Sequence, residues 1–215
     1  MSKKMIPLAL VIFATALFVL PAVASAQEQE IDPGAGTQFT IAGGATSITA
    51  AGEPTITCET VGGEGEALTK TTATIHIDLK GCHTVVLGFT EPCRSFNAPL
   101  KNTIAFAEIV HWITFNSKPA ALLTPEFATV ICEGLKQIKI GGNGLIGTIT
   151  EPACNVEAKQ MKIKFAVNAG KQEHMLYTTV NYDLDYTTEG AAAVTAAFAG
   201  ELTLAWAVNI KMTCQ

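Results

Sequence analysis

From Gln38 to the end of the chain, apolar and polar side chains tend to alternate with a period of two. Successive side chains of a strand point to opposite faces, so this pattern predicts strands with one dry and one wet face. Three segments carry it most clearly. In Met161–Ala169, Met161, Ile163, Phe165 and Val167 oppose Lys162, Lys164 and Asn168. In His174–Tyr186, Leu176, Val180, Tyr182, Leu184 and Tyr186 oppose Tyr177, Asn181, Asp183 and Asp185. In Glu201–Cys214, Leu202, Leu204, Trp206, Val208, Ile210 and Met212 oppose Glu201, Thr203, Asn209 and Lys211. Shorter strands are expected where Ala73, Ile75, Ile77 and Leu79 form an inner row, and where Ile56 and Cys58 do.

Two stretches stay open on pattern alone. Ile104–Phe115 is apolar on both faces and suits a central strand or a buried helix. Ala191–Ala197 has the composition of a helix between neighbours that read as strand. Gly141-Gly142-Asn143-Gly144, between Leu135–Ile140 and Leu145–Thr150, reads as a hairpin turn, because glycine and asparagine tolerate positive φ. Ten or more strands with few or no helices predict an all-β chain, an antiparallel sandwich or barrel-like domain. Residues 40–132 and those after 133 could form separate sheet units, but no linker divides them, so 38–215 is read as one domain.

The start of the chain departs from this pattern. Lys3 and Lys4 precede an uncharged apolar run, Ile6–Leu20, then Pro21 and Ala24-Ser25-Ala26. Small residues at −3 and −1 fit a signal peptidase site, so residues 1–26 read as a signal peptide cleaved before Gln27. A spanning helix needs roughly 20 apolar residues, and no later segment reads as a span. No cysteine sits at the cleavage point, so a lipid anchor is not expected. Residues 27–37, polar and broken by Pro33 and Gly34, read as a flexible leader.

Cleavage removes two of the 14 Lys+Arg and none of the 19 Asp+Glu, leaving a net charge of −7 with Arg94 as the only arginine. Nucleic acid and anionic lipid are therefore poor partners. All six cysteines, Cys58, Cys82, Cys93, Cys132, Cys154 and Cys214, follow the cleavage point. An even set in an exported chain reads as a disulfide framework. Six cysteines allow 15 connectivities; the expected one is Cys58–Cys82, Cys93–Cys132 and Cys154–Cys214.

Catalytic signatures are sparse. Gly142-x-Gly144-x-x-Gly147 matches a dinucleotide fingerprint as a string, but it opens a strand and not the helix that motif requires. His76 and Asp78 share a strand face and, with His83 or His111 nearby, would suit a metal or acid–base site, yet no histidine pair has ligand spacing and the cysteines are committed to disulfides. Asp183 and Asp185 share a face, followed by Glu189. Calcium needs more oxygens, and glycoside hydrolysis needs a carboxylate from elsewhere in a cleft. No Gly-x-Ser-x-Gly elbow surrounds Ser47, Ser95 or Ser117. Tyr177, Trp112 and Tyr182 could stack on sugars, but they form no strip. No catalytic, cofactor or metal site is expected.

The motifs Gly43-Gly44-Ala45-Thr46, Thr55-Ile56-Thr57-Cys58, Gly81-Cys82, Pro92-Cys93 and the run Leu122–Cys132 carry a resemblance. Over roughly residues 40–170 the chain resembles an uncharacterised family of secreted, cysteine-containing all-β proteins from Gram-positive bacteria. The resemblance implies export and an all-β fold, and it carries over no functional residue. The expectation is a secreted, non-enzymatic binding or structural module at the cell exterior, with an extracellular or cell-wall ligand and no membrane partner after cleavage. The alternative is a secreted glycan-acting hydrolase using a pair among Glu108, Glu126, Asp183 and Asp185. A packing unit of a surface layer is a third reading.

Overall fold

The computed structural model describes residues 28–96, 102–126, 128–173, 176–177 and 180–214. Residues 1–26, read above as a signal peptide, and the expected cleavage point before Gln27 lie outside the described residues. Those described form strands and turns with no helix, as the alternation predicts.

After β1 (Glu30–Asp32), the chain makes eight passes. The first is β2 (Gln38–Gly43) and β3 (Thr46–Ala50); the second, β4 (Ile56–Cys58) and β5 (Thr60–Ala67). The third is β6 (Thr72–Lys80) and β7 (His83–Val86); the fourth, β8 (Phe89–Ser95) and β9 (Thr103–Phe115). The fifth is β10 (Lys118–Pro125) and β11 (Ala128–Cys132); the sixth, β12 (Ile138–Gly142) and β13 (Leu145–Glu151). The seventh starts as β14 (Glu157–Phe165), then makes two small hairpins, β15 (Val167–Asn168) with β16 (Lys171–Gln172) and β17 (Leu176–Tyr177) with β18 (Val180–Asn181). It resumes as β19 (Leu184–Thr188), and the eighth pass is the long β20 (Val194–Thr213).

Antiparallel pairing closes these strands into two rings. The first runs β14-β13-β10-β9-β6-β5-β2-β20 and back to β14. The second runs β20-β19-β12-β11-β8-β7-β4-β3 and back to β20. Each pass contributes to both rings, and β20 runs unbroken through the two. Closure leaves neither ring with an unpaired edge.

At the junction of the rings the buried face changes parity. Phe39 and Ile41 are buried in β2, but Thr46, Ile48 and Ala50 in β3. Ile75, Ile77 and Leu79 give way to Cys82 and Thr84, and Ala121 and Leu123 to Ala128, Val130 and Cys132. Register between neighbours is kept across the break, with Gly43↔Val61 on one side and Thr46↔Cys58 on the other. Adjacent passes thus insert matching irregular residues at one level. The Gly141–Gly144 stretch is one such break and not a hairpin turn: β12 pairs with β11 and β19, whereas β13 pairs with β10 and β14. Its glycines take positive φ at Gly142 and Gly144, and the amides of Asn143 and Gly144 donate to the Asp183 carbonyl.

Inner rows mostly fall where alternation put them, with Ala73, Ile75, Ile77, Leu79, Met161, Ile163, Phe165, Leu202, Leu204 and Trp206 all buried. The Met161–Ala169 row, however, stops at Phe165, where β14 ends and Val167 enters the next small hairpin half-buried. Ile104–Phe115 is a strand with two apolar faces. Its inner row is Ile104, Phe106, Val110 and Trp112; outside, Ile113 joins Ala120, Leu122 and Ile146 in a second cluster covered by Phe115 and Tyr182. The alanine-rich stretch enters β20, where Ala196 and Ala197 are buried.

Three expectations need correcting. His174–Tyr186 is not one strand: the small hairpin interrupts it, and only Leu184 and Tyr186 reach the core, while Val180 is exposed. Val208 is also exposed, because the β14–β20 ladder shifts between Ala158↔Ile210 and Gln160↔Ala205 and the extra β20 residues bulge outward. Finally, residues 28–32 are no flexible leader. Ile31 pairs with Met212 on β20 and is buried, while the Gln29 amide donates to Trp112 O on β9, 2.9 Å away. The Gln29 side chain donates to Thr114 Oγ1. β20 and β9 lie on opposite sides of the first ring, so this segment crosses its mouth. The alternation Glu30-Ile31-Asp32 supplies the single apolar side chain that the closure buries.

The six cysteines form Cys58–Cys82, Cys93–Cys132 and Cys154–Cys214, the expected pairing. Two of these bonds join β4 to the start of β7 and β8 to β11, strands of three to seven residues. Short ladders offer few hydrogen bonds, so covalent links carry a larger share of the second ring's stability. The third ties the turn before β14 to the end of β20.

Candidate functional site

Two concave features stand out, one outside the wall and one within it. The outer groove, about 620 Å³, crosses β20, β2, β5 and β6 of the first ring. Registered pairing builds it from residues far apart in sequence. One row runs Ala205–Thr40–Glu64–His76, and the next runs Gln38–Glu66–Thr74. Their side chains face solvent, and the buried Phe39, Ile75 and Trp206 lie beneath. Phe39 and Trp206 pack with ring centroids 4.2 Å apart.

The glycines of β5 let its backbone lie close against the buried side chains and the neighbouring strand beneath the groove. A Cβ on Gly65 would lie 2.4 Å from Phe39 Cζ and 2.7 Å from the Thr74 carbonyl; one on Gly63 would lie 2.1 Å from the His76 carbonyl. Gly65→Ala is therefore expected to displace the Phe39–Trp206 pair and cost about 1–3 kcal/mol, read from the midpoint of urea unfolding at constant slope.

The groove's chemistry is acidic and hydrogen-bonding. Glu64 and Glu66 are exposed, with Gln38, Thr40, Thr74 and His76 around them, and none of the lining residues is Lys or Arg. His76 Nε2 lies 3.5 Å from Asp78 Oδ1 on the same face. Among the described residues no group of three or more His, Cys, Asp or Glu is placed to hold a metal ion.

The inner feature is a cavity of about 30 Å³ near the ring junction, lined by apolar side chains including Ile48, Phe106, Ile140 and Phe198, with Glu108 as its only ionisable group. Glu108 sits on the inner row of β9, is 8% exposed, and its Oε2 has no hydrogen-bond partner among the described residues. Burial penalises the charged form and pushes its pKa up to about 8, so the carboxyl is held neutral at physiological pH. The space equals one water's share of the liquid and holds no sugar ring.

Of the carboxylates weighed as a hydrolytic pair, only Glu108 lines this cavity. Glu126 is exposed on the outside of the wall, its amide bonded to the Ala107 carbonyl. Asp183 and Asp185 share a half-buried stretch, where desolvation first and the Asp185 charge second raise the pKa of Asp183. The structure brings these four into no common cleft. Among the aromatics, Trp112 is fully buried and Tyr182 covers the outer apolar cluster; the Tyr177 side chain lies outside the described residues. Gly142, Gly144 and Gly147 lie on β12, its break and β13, with no helix to receive a pyrophosphate.

Sequence reasoning missed the groove. Only the run Gly62-Gly63-Glu64-Gly65-Glu66, a strand stripped of bulk between carboxylates, hinted at it. The chain matches no known protein-family model, no curated protein and no solved structure.

Proposed function

We propose that the chain is a secreted, non-enzymatic binding module that takes an extracellular ligand rich in hydroxyl and amine groups in the groove over β20, β2, β5 and β6. The observation that carries this reading is the pair Glu64 and Glu66, set on two adjacent hydrogen-bonding rows above the buried Phe39–Trp206 pair, with no Lys or Arg lining the groove. Carboxylates accept charge-assisted hydrogen bonds from ammonium groups and paired bonds from hydroxyls. The exposed Thr40, Thr74, Gln38 and His76 add further donors and acceptors. Three disulfides suit an oxidising exterior.

Trp206 lies beneath the groove and Trp112 is enclosed in the core on β9, so tryptophan fluorescence reports on this site. Titration with oligomers of glucosamine should give a saturable change that Trp206→Phe removes. Glu64→Gln/Glu66→Gln should weaken the affinity tenfold or more, and acetylated oligomers, which lack the ammonium, should bind less tightly. No saturable change, or equal affinity for the double variant, would refute the groove as the site.

A further inference from the structure

At the far end of the second ring, the hairpin of β7 and β8 leaves the wall. β4 pairs with β7 only at His83 and Thr84, and β11 pairs with β8 only from Cys93 to Ser95. Beyond those points, Val85↔Thr90 and Val86↔Phe89 pair with each other alone. The result is a free two-stranded finger. Its tip is apolar and open: Leu87 is 94% exposed, Phe89 70% and Val85 59%. Thr84–Thr90 contains no charged residue.

The turn makes this costly. Leu87 and Gly88 both take positive φ, 51° and 87°, a turn that Asn-Gly fills without strain. A bulky leucine there is a conformational outlier, and such outliers point to function when the surroundings do not explain them. A packing explanation is missing, because Leu87 is almost wholly exposed.

We propose that this finger is a peripheral membrane anchor whose tip enters the interface of an electrically neutral lipid bilayer. Three features favour lipid over a protein partner. The apolar groups occupy both faces of the ribbon, with Val85 on one and Phe89 on the other. A protein surface covers one face, whereas a fluid surrounds both. The finger is convex and uncharged at its end. Its unpaired backbone edges confine it to interfacial depth, since such groups are not tolerated within hydrocarbon. The other turns at this end carry Glu53, Glu133 and Glu189 against Lys136, so anionic headgroups are repelled. The contact is confined to the finger's tip, and no described helix is long and apolar enough to cross a membrane. It adds a membrane surface that the sequence reading did not expect, and it is independent of the ligand groove.

Flotation of the full-length secreted protein with phosphatidylcholine vesicles tests this directly. The wild type should float with the vesicles. Leu87→Asn/Phe89→Thr should lose at least tenfold in partition coefficient while melting no lower, because asparagine suits the positive φ and threonine suits a strand. Adding phosphatidylserine should reduce wild-type binding. The proposal fails if the wild type stays unbound up to millimolar lipid, if the variant floats equally well, or if anionic vesicles bind it better.

Discussion

Replacing Glu108 with glutamine is expected to abolish a large loss of stability as pH rises from about 4.5 to 8. The folded carboxyl has a pKa of about 8 against 4.5 for an unperturbed one, and burial is the cause. Because the folded value is raised, the unfolded chain releases its proton first as pH increases. Glu108 therefore supports the fold fully below about pH 4.5. Stability then falls by up to about 1.4 kcal/mol per pH unit and levels off above about pH 8. The accumulated loss is on the order of 4–5 kcal/mol, a sizeable part of the roughly 5–15 kcal/mol typical of a domain. Urea unfolding from pH 4 to 9 should show this slope in the wild type. In Glu108→Gln it should flatten, with the two proteins differing least at pH 4 and most at pH 9. Parallel profiles would mean that the carboxyl is hydrated or paired in the folded protein.

The second large effect concerns the Cys93–Cys132 bond. Both cysteines are buried and are direct partners across β8 and β11, closing a separation of 39 residues. The chain-entropy account gives about 4 kcal/mol for a loop of that size. Cys93→Ala/Cys132→Ala should lower stability by about that amount, and the loss should be local before it is global. Amides of β7, β8 and β11 should exchange with solvent well before those of β5, β6 and β9, whose ladders are eight or more residues long. Uniform loss of protection would show that the two rings unfold as one unit.

Much of the fold could be read from alternation because one face of each strand is dry. Ala73–Leu79 and Leu202–Trp206 are examples; the cysteine count gave the disulfide framework, while the choice among its 15 connectivities depends on which strands the fold brings together. The division into two rings was not legible. Its signal is a parity change at Gly43-Gly44 and Gly142–Gly144, and a glycine break inside a strand looks the same in sequence as a hairpin turn. Ile31 was overlooked for a related reason: a single apolar side chain between two acids has no local partner, and only the mouth of a distant ring gives it one. The groove was hidden because Gln38, Glu66 and Thr74 meet only through register. Glu108 was visible as the one acid in the apolar Ile104–Phe115 stretch, but its isolation in the core depends on what the wall encloses.

The claim that the β20–β2–β5–β6 groove takes an extracellular ligand is tested most directly by mapping backbone amide chemical shifts during titration with glucosamine oligomers. Saturable changes confined to Gln38–Thr40, Glu64–Glu66, Thr74–His76 and Ala205–Ala207 are expected. Changes centred on another face, or none at saturating oligomer, would contradict it.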